Sequence, residues 1–424
     1  MAVEPVLKED IPEGVRALNC NLFTVEKFKA DGSHEKYKSR FVAHGNEQDN
    51  LMYPDRSSPT VGVHSIMMGL RVVACNEGYV VGKLDVKGAF IQTEMTGPPV
   101  YIKCAGELQR LILEVYPALR KYVGLDGLLH CKLLKALYGC VQASKLWYER
   151  LRRFLERESY ERSATDPCVF CKVEEQFVYV LLVYVDDILV CAKQKELERM
   201  KRAFTNEFKW IMVDDGDKHS YLGMQLTISK GCIEINMRFY IEKILAAYSD
   251  LREYTTPGAK DAFMVDEKAA VLPEKEQKLF HTTVARLLYL SKRVRPDILG
   301  TVGFLCTRVK VPTTEDVKKL ERLLGYLKGT QGEVMELRPR GVFRLEAYID
   351  ASFSAHPDGK SHSGMVVLLA GVPVYFSSKK QKCVSKSPTE AELVALSDNV
   401  GAVELFQELA CFLLNTNIPI PTVY

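Results

Sequence analysis

A chain of 424 residues is too long for one ordinary domain, and its 47% hydrophobic and 26% charged residues are typical of a folded protein. The formal net charge of +3 neither requires nor excludes a nucleic-acid partner, because such binding depends on a local basic surface. A signal peptide and an apolar run long enough to span a bilayer are both absent, which predicts an intracellular protein without a membrane partner.

The N-terminal part predicts an irregular lead-in followed by a basic hairpin. The first twenty residues are acidic, contain two prolines and show no period, so we assign 1–16 to a lead-in without regular structure. Residues 22–28 predict one strand, residues 30–33 a turn, and a second strand continues through Val42. Taken alone, this hairpin fits a solvated ribbon as well as a phosphate-binding one. Its cations are Lys27, Lys29, Lys36, Lys38 and Arg40.

Apolar periodicity predicts most of the remaining elements. A charged segment with proline and glycine at 255–275 is typical of a linker, and helices are expected between 278 and 328. The other predicted elements are a helix at 65–76, a strand at 79–86, a helix within 132–159, strands at 177–185 and 188–192, a helix at 194–209, a hairpin of 221–228 with 232–236, strands at 343–350, 363–370 and 372–378, a helix at 388–414 and the start of a strand at 418–424.

Two adjacent aspartates interrupt a strongly apolar run. Asp186 and Asp187 follow seven residues of a predicted buried strand, where unpaired anions would be costly. A hairpin turn in water explains such a pair, and so does a bound divalent cation held by rigid strands. Asp85 ends a second apolar strand, on the face of Lys83 and opposite Leu84. Three carboxylates on neighbouring strands could hold two metal ions roughly 3.5–4 Å apart, as in phosphoryl transfer.

The aspartates stand in two longer motifs, Tyr-Val-Asp-Asp at 184–187 and Leu-Asp-Val-Lys-Gly-Ala-Phe at 84–90. These motifs resemble the catalytic hairpin and the first catalytic strand in the reverse transcriptase part of copia-type (Pseudoviridae) retrotransposon Pol polyproteins. The resemblance runs in family order from about residue 17 to the C-terminus. The other similar blocks are 38–45, 137–143, 221–224, 294–298 and 326–330.

The resemblance implies an α+β right-hand polymerase with fingers, palm and thumb at 17–254, a linker and helical connection at 255–340, and a ribonuclease H-like α/β domain at 341–424. It implies RNA-directed DNA synthesis with two Mg²⁺ ions, or Mn²⁺ as the alternative. The expected partners are an RNA template, a DNA primer, their RNA–DNA hybrid and dNTPs. The implied site residues are Asp85, Asp186 and Asp187 as catalytic metal ligands, Lys38, Arg40, Phe90, Gln142 and Tyr184 as nucleotide or template contacts, and Leu222 and Gly223 as the primer grip.

Three positions depart from the family pattern. Cys140, Val141 and Ser144 stand where the family usually has an aliphatic residue, lysine and proline, and the missing lysine removes a phosphate contact. This departure favours an alternative function, a degenerate remnant that still binds nucleic acid. The intact aspartates favour the polymerase. The resemblance implies a location in the cytoplasm, in particles of the element or in the nucleus.

The C-terminal module resembles a ribonuclease H domain that is truncated. Asp350 and Glu392 match the acidic residues of that signature, whereas Glu390 belongs to a capping box that begins at Ser387. The next carboxylate would follow the strand that begins near Ile418, but the chain ends first. A ribonuclease H hydrolase is the second alternative function. Because its site is incomplete, we expect no such activity.

Overall fold

The computed structural model describes residues 2–28, 34–54, 56–338, 341 and 343–424, and this part of the chain forms four β-sheets with ten α-helices. The predicted turn at 30–33 lies outside the described residues. The expected α+β class is confirmed, because mainly antiparallel sheets alternate with helices that cover them.

The first sheet contains the basic hairpin, and we call it the fingers sheet. Its central pair, β2 and β5, is parallel, whereas the hairpin β2–β3 is antiparallel. The N-terminal lead-in prediction was wrong, since β1 pairs with β6 in the register Val3 opposite Leu133. A three-residue edge strand shows no period, so only the pairing reveals it. In spatial order the strands are β1 (Val3–Pro5), β6 (Leu129–Leu133), β5 (Tyr101–Cys104), β2 (Leu18–Phe28) and β3 (His34–Ala43).

The second sheet contains both predicted acidic strands, and we call it the palm sheet. The strands predicted at 79–86, 177–185 and 188–192 are confirmed to within one residue. Their apolar faces are fully buried, which explains the continuous apolar runs in the sequence. In spatial order the strands are β11 (Ile211–Asp214), β4 (Tyr79–Val86), β10 (Asp187–Lys193), β9 (Phe177–Tyr184), β8 (Val169–Glu174) and β7 (Glu161–Arg162).

Helices cover the palm sheet. Helix α1 (Val63–Cys75) begins where the Asp166 carboxylate accepts hydrogen bonds from Gly62 N at 2.9 Å and Ser65 Oγ at 2.6 Å, a cap supplied from a distant part of the chain. The predicted helix within 132–159 was partly wrong. Its first residues form β6 and a turn, and the helix starts at Ala143. The other helices of this part are α2 (Ala89–Gln92), α3 (Gly106–Val115), α4 (Ala143–Arg157) and α5 (Gln194–Glu207).

A third sheet and four helices follow the palm. The hairpin predicted at 221–236 begins later than expected, at Met224, because the residues before it form a tight turn with β12. Of the linker predicted at 255–275, residues 255–273 contain neither helix nor strand, and helix begins at Glu274. The strands are β12 (Lys218–Tyr221), β13 (Met224–Ser229), β14 (Cys232–Asn236) and β15 (Met335–Leu337), and the helices are α6 (Arg238–Leu245), α7 (Glu274–Ser291), α8 (Leu299–Cys306) and α9 (Thr314–Gly329). Short 3-10 turns occur at Lys8–Asp10, Gly45–Glu47, Asn50–Met52, Pro117–Tyr122 and Pro296–Ile298.

The C-terminal sheet has the predicted strand order. Three antiparallel strands precede the long helix, and the last strand then pairs in parallel with the first, with Glu346 opposite Thr422. This module packs on the palm through α1, where the His64 ring lies 4.9 Å from Phe406 and Arg71 donates to Ala370 O. The elements are β16 (Leu345–Ser352), β17 (His362–Leu369), β18 (Val372–Lys380), α10 (Pro388–Leu414) and β19 (Thr422–Val423).

Candidate active site

The register of the palm sheet brings two predicted site residues together. Strands β4 and β10 are antiparallel, and Asp187 stands directly opposite Asp85. Directly opposed residues in such a pair have Cα atoms about 4.5–5.5 Å apart and point to the same face. Lys83 and Asp85 are half-buried while Leu84 and Val86 are buried, so the predicted alternation of this strand is confirmed.

Asp186 lies in the tight turn that joins β9 to β10. Tyr184 pairs with Asp187, which leaves Val185 and Asp186 as the two turn residues. Val185 has a φ of +56°, a left-handed conformation that is strained for a β-branched residue. Two hydrogen bonds hold the turn, from Trp147 Nε1 to Val185 O at 2.7 Å and from Val86 N to Asp186 O at 3.1 Å. The second bond fixes Asp186 beside the strand that contains Asp85.

The electrostatics of the site show how close the carboxylates are. Burial raises the pKa of Asp186, and the charges of Asp187 and Asp85 raise it further, while the Lys38 ammonium lowers it. Burial also raises the pKa of the nearby Tyr138 phenol. The negative charges of Asp186 and Asp85 raise this pKa further, and the positive charge of Arg40 lowers it. Two like charges beside a buried carboxylate favour a bound cation.

One basic side chain already pairs with this acidic group. Lys83 Nζ lies 3.1 Å from Asp187 Oδ1 and donates to Ser220 O at 3.1 Å. Throughout the described ranges, no three Asp, Glu, His or Cys side chains converge closely enough to coordinate one metal ion. The donor set still fits Mg²⁺ chemically, because the oxygens of Asp85, Asp186 and Asp187 are hard ligands on neighbouring backbone positions. Asp187 would have to exchange its lysine partner for a metal ion.

Basic and aromatic side chains face the carboxylates from the fingers. Lys38 and Arg40 are exposed residues on β3, opposite Val25 and Phe23 of β2, and therefore share one face of the hairpin. The positive charge of Lys38 lowers the pKa of Asp186, and that of Arg40 lowers the pKa of Tyr138. This face of the hairpin therefore lies toward the palm. Of the two predicted nucleotide contacts, Lys38 thus acts on the candidate metal ligand Asp186, and Arg40 acts on the neighbouring Tyr138.

Phe90 lies in the first turn of α2, immediately after the strand of Asp85. Gly88 has a φ of +63°, which lets the chain turn from β4 into that helix. The Phe90 ring is buried and lies 4.6 Å from the ring of Tyr138. Its predicted contact with a nucleotide sugar stays a prediction, as does the contact expected of Tyr184.

Gln142 is buried in the junction between fingers and palm. Its Oε1 accepts a hydrogen bond from Gln48 Nε2 at 3.1 Å, and Gln48 Oε1 accepts one from Val141 N at 2.8 Å. Val141 and the buried Cys140 thus belong to this junction. Gln142 has a structural role here, and its template contact stays a prediction.

Leu222 and Gly223 form the turn between β12 and β13. Both have positive φ values, +50° and +79°, as expected for a type I′ hairpin. Tyr289 of α7 donates a hydrogen bond from its hydroxyl to Leu222 O at 2.8 Å, and the Arg293 guanidinium lies 3.4 Å from the Tyr289 ring centroid. The predicted primer grip is therefore held by the helical region. Its contact with a primer stays a prediction.

The acidic residues of the C-terminal module have different surroundings. Asp350 is exposed and stands opposite Gly364, and it borders a cavity of about 480 Å³ beside α8. The predicted cap is confirmed, because Ser387 Oγ accepts from Glu390 N at 3.2 Å. The Glu390 carboxylate accepts from Lys386 N rather than from the N-cap itself. Glu392 is exposed in the second turn of α10, and a metal site shared by Asp350 and Glu392 stays a prediction.

Sequence reasoning missed the side chains that hold these positions. The helical period identified Trp147 only as an apolar helix residue, and Tyr289 gave no signal at all. The ion pair of Lys83 could have been suspected, because alternation places it on the face of Asp85. These residues contact turns and carboxylates that are distant in sequence, so a local pattern does not reveal them.

None of the helices in the described part of the chain is both long and apolar enough to cross a bilayer.

The palm sheet, its acidic hairpin and the facing basic fingers define a right-hand polymerase fold. A family model described as reverse transcriptase (RNA-dependent DNA polymerase) matches residues 7–258, which is more than half of the chain. The chain therefore belongs to the reverse transcriptase family, and the copia-type resemblance of its motifs is confirmed by its relatives.

Those relatives are transposon proteins. Two are retrovirus-related Pol polyproteins, from transposon RE1 of Arabidopsis thaliana (31% identical over 398 residues) and from transposon TNT 1-94 of Nicotiana tabacum (30% over 404 residues). The alignments cover 93% and 92% of this chain but 26% and 29% of those polyproteins, so the chain spans about a quarter of their length. A putative transposon Ty5-1 protein of Saccharomyces cerevisiae is 29% identical over 324 residues, which is 75% of this chain and 99% of that protein.

A solved structure is also similar. It is described as the foamy viral protease-reverse transcriptase dRH in complex with double-stranded DNA. The TM-score is 0.48 at 14% identity, and the superposition covers 91% of this chain and 56% of that one.

Proposed function

We propose that this chain is an RNA-directed DNA polymerase that extends a DNA primer with dNTPs on an RNA template. The observation that supports it best is the register that sets Asp187 opposite Asp85, with Asp186 in the adjoining turn. The strained turn at Val185 and its hydrogen bond from Trp147 hold Asp186 in place. A rigid group of carboxylates is what metal-assisted phosphoryl transfer requires.

In this proposal Asp85, Asp186 and Asp187 hold two Mg²⁺ ions, for which Mn²⁺ can substitute. When bound, the ions polarise the primer 3′ hydroxyl and neutralise charge on the leaving pyrophosphate. Lys38 and Arg40 bind the triphosphate of the incoming nucleotide from the fingers hairpin.

One aromatic side chain and one turn position the nucleotide sugar and the primer strand. Phe90 excludes the ribose 2′ hydroxyl by its bulk, and the Leu222–Gly223 turn supports the primer strand. Because Tyr289 and Arg293 fix that turn, the primer terminus has a defined position relative to the palm.

The test is primer extension on an RNA template with Mg²⁺, using the full chain. We expect DNA synthesis by the parent protein and none by Asp186→Asn, whose melting temperature should be unchanged or slightly higher. Unimpaired synthesis by Asp186→Asn would contradict the assignment. Failure of the parent protein to extend, with intact binding of an RNA–DNA hybrid, would instead favour the degenerate binding protein.

A specific observation keeps that second candidate in view. Val141, which stands where the family usually has a lysine, lies in the junction beside the site, where its backbone N donates to Gln48 Oε1. A chain that binds hybrid but does not extend would be explained by this loss of a phosphate contact.

A further inference from the structure

The Lys83 ammonium lies where it can compete with a metal ion for the Asp187 carboxylate. It lies on β4 two residues before Asp85, on the same face, and pairs with Asp187 on the neighbouring strand. Its ammonium has three hydrogen-bond donors, of which one points to Asp187 Oδ1 and another to Ser220 O. The Ser220 carbonyl therefore fixes the ammonium at the carboxylate.

The pair is partly shielded from water. The Lys83 side chain is 22% exposed and that of Asp187 is 31% exposed, so solvent screens their attraction less than it screens a surface ion pair. The three carboxylates of Asp85, Asp186 and Asp187 together with the Lys83 ammonium have a net formal charge of −2. Without the lysine the charge would be −3, and a divalent cation would be attracted more strongly.

We propose that Lys83 is a tethered counter-cation of Asp187 that competes with divalent metal ions and so sets the metal affinity of the site. Metal binding at Asp187 requires Lys83 to withdraw, and the positive charge of Lys83 then repels the metal ion that replaces it. This inference deepens the proposed function, since it concerns the same carboxylates. It assigns to Lys83 a positioning role, not a catalytic one.

The proposal explains a feature of the geometry. One oxygen of Asp187 lies 3.1 Å from the Lys83 ammonium, and the backbone of Asp187 stands directly opposite that of Asp85. Within the described ranges no three metal-binding side chains converge, and Asp187 is engaged by Lys83. A neutral side chain at position 83 would leave Asp187 free to turn toward its neighbours.

The test is direct binding of Mn²⁺ to this chain, measured by electron paramagnetic resonance without nucleotide or nucleic acid. We expect Lys83→Gln to lower the Kd of the tightest Mn²⁺ ion about 3- to 10-fold, from the loss of one partly buried charge. Lys83→Arg keeps the charge and should leave the Kd unchanged. The matched control is Lys218→Gln, which removes an exposed lysine from β12 near Ser220 and should change the Kd less than about twofold.

A double substitution separates this mechanism from a general charge effect. In an Asp187→Asn background, Lys83→Gln should tighten Mn²⁺ binding less than it does in the parent protein, because the direct competition for Asp187 is gone and only the repulsion by the lysine charge remains. An unchanged or higher Kd in Lys83→Gln, or tightening that is as large with Asp187→Asn as in the parent protein, overturns the proposal. Weaker binding of the RNA–DNA hybrid by Lys83→Gln, with an unchanged Mn²⁺ Kd, also overturns the proposal. That result would indicate that Lys83 binds a backbone phosphate of the hybrid.

The outcome is independent of catalysis. Tighter Mn²⁺ binding by Lys83→Gln in a protein that fails to extend primers would support the role of Lys83 and contradict the proposed polymerase. Normal primer extension with no effect of Lys83→Gln on Mn²⁺ binding would support the proposed polymerase and contradict the role of Lys83.

Discussion

The palm and the C-terminal module each place an aspartate near the end of a buried strand, but strand register gives the two residues different neighbours. Asp85 stands opposite Asp187, beside a turn that contains a third carboxylate. Asp350 stands opposite Gly364 and is exposed beside α8. An acidic residue at a strand end is therefore not a site by itself. The chemistry depends on what the neighbouring strand presents at the same level.

The largest expected effect compares the two aspartates directly. Asp85→Asn should lower primer extension more than about 100-fold, because loss of a metal ligand exceeds the 10- to 100-fold effect typical of outer-sphere partners. Asp350→Asn should leave extension within about twofold. Both rates are measured by single-nucleotide incorporation at saturating primer. A large loss in Asp350→Asn, or none in Asp85→Asn, would break the comparison.

A second comparison uses glycines with the same backbone conformation in the two regions. Gly139 has a φ of +90°, and a Cβ there would meet Ala43 O of the fingers at 1.9 Å. Gly139→Ala should cost about 2–4 kcal/mol, from left-handed strain and a backbone collision. Gly359 of the C-terminal module has a φ of +73° and only Val384 within 4 Å of its added Cβ, so Gly359→Ala should cost about 1–2 kcal/mol. Urea unfolding measures both, and equal losses would show that the junction of fingers and palm can relax.

A third prediction concerns sugar selection beside Asp85. Phe90→Val should raise ribonucleotide incorporation relative to deoxyribonucleotide incorporation about tenfold, since the smaller side chain leaves room for a 2′ hydroxyl. The ratio of the two kcat/KM values is the measurement. The matched control is Phe376→Val, which removes a similarly buried ring from the C-terminal sheet and should not change the ratio. Unchanged discrimination in Phe90→Val would place the sugar contact elsewhere.

The smallest expected effect is a shift in pH dependence. The raised pKa of Asp186 favours its protonated form, so extension should fall with decreasing pH at a higher pH than an ordinary aspartate would give. Lys38 lowers this pKa, and Lys38→Gln should therefore move the acid limb of the kcat/KM profile, measured at subsaturating Mg²⁺, to higher pH. Lys36→Gln, one position further along the same face of β3, is the control. An acid limb that stays in place in Lys38→Gln would show that Lys38 and Asp186 do not interact in the working enzyme.

The same shift makes a statement about stability. Native Asp186 binds a proton more tightly than the unfolded chain does, so its contribution to stability falls as the pH rises through the two pKa values. Asp186→Asn removes that cost at neutral pH. This is why the inactive variant is expected to melt no lower than the parent protein.

Much of the local structure followed from the sequence. Alternation predicted the face of Asp85, the apolar runs predicted β9 and β10, and Ser387 with Glu390 predicted the start of α10. These features depend on residues a few positions apart, where the period of a strand or the geometry of a cap determines the outcome. The ordered motifs also identified the family, which the matched residues 7–258 confirm.

The tertiary structure decided which of these elements meet. The register of Asp85 with Asp187, the pairing of Val3–Pro5 with β6 and the contact of Lys83 with Asp187 each join segments that are far apart in sequence. Helix α4 begins at Ala143 because the residues before it pair with other strands. Such contacts depend on the free energy of packing the whole chain, to which no single segment contributes enough to specify its partner.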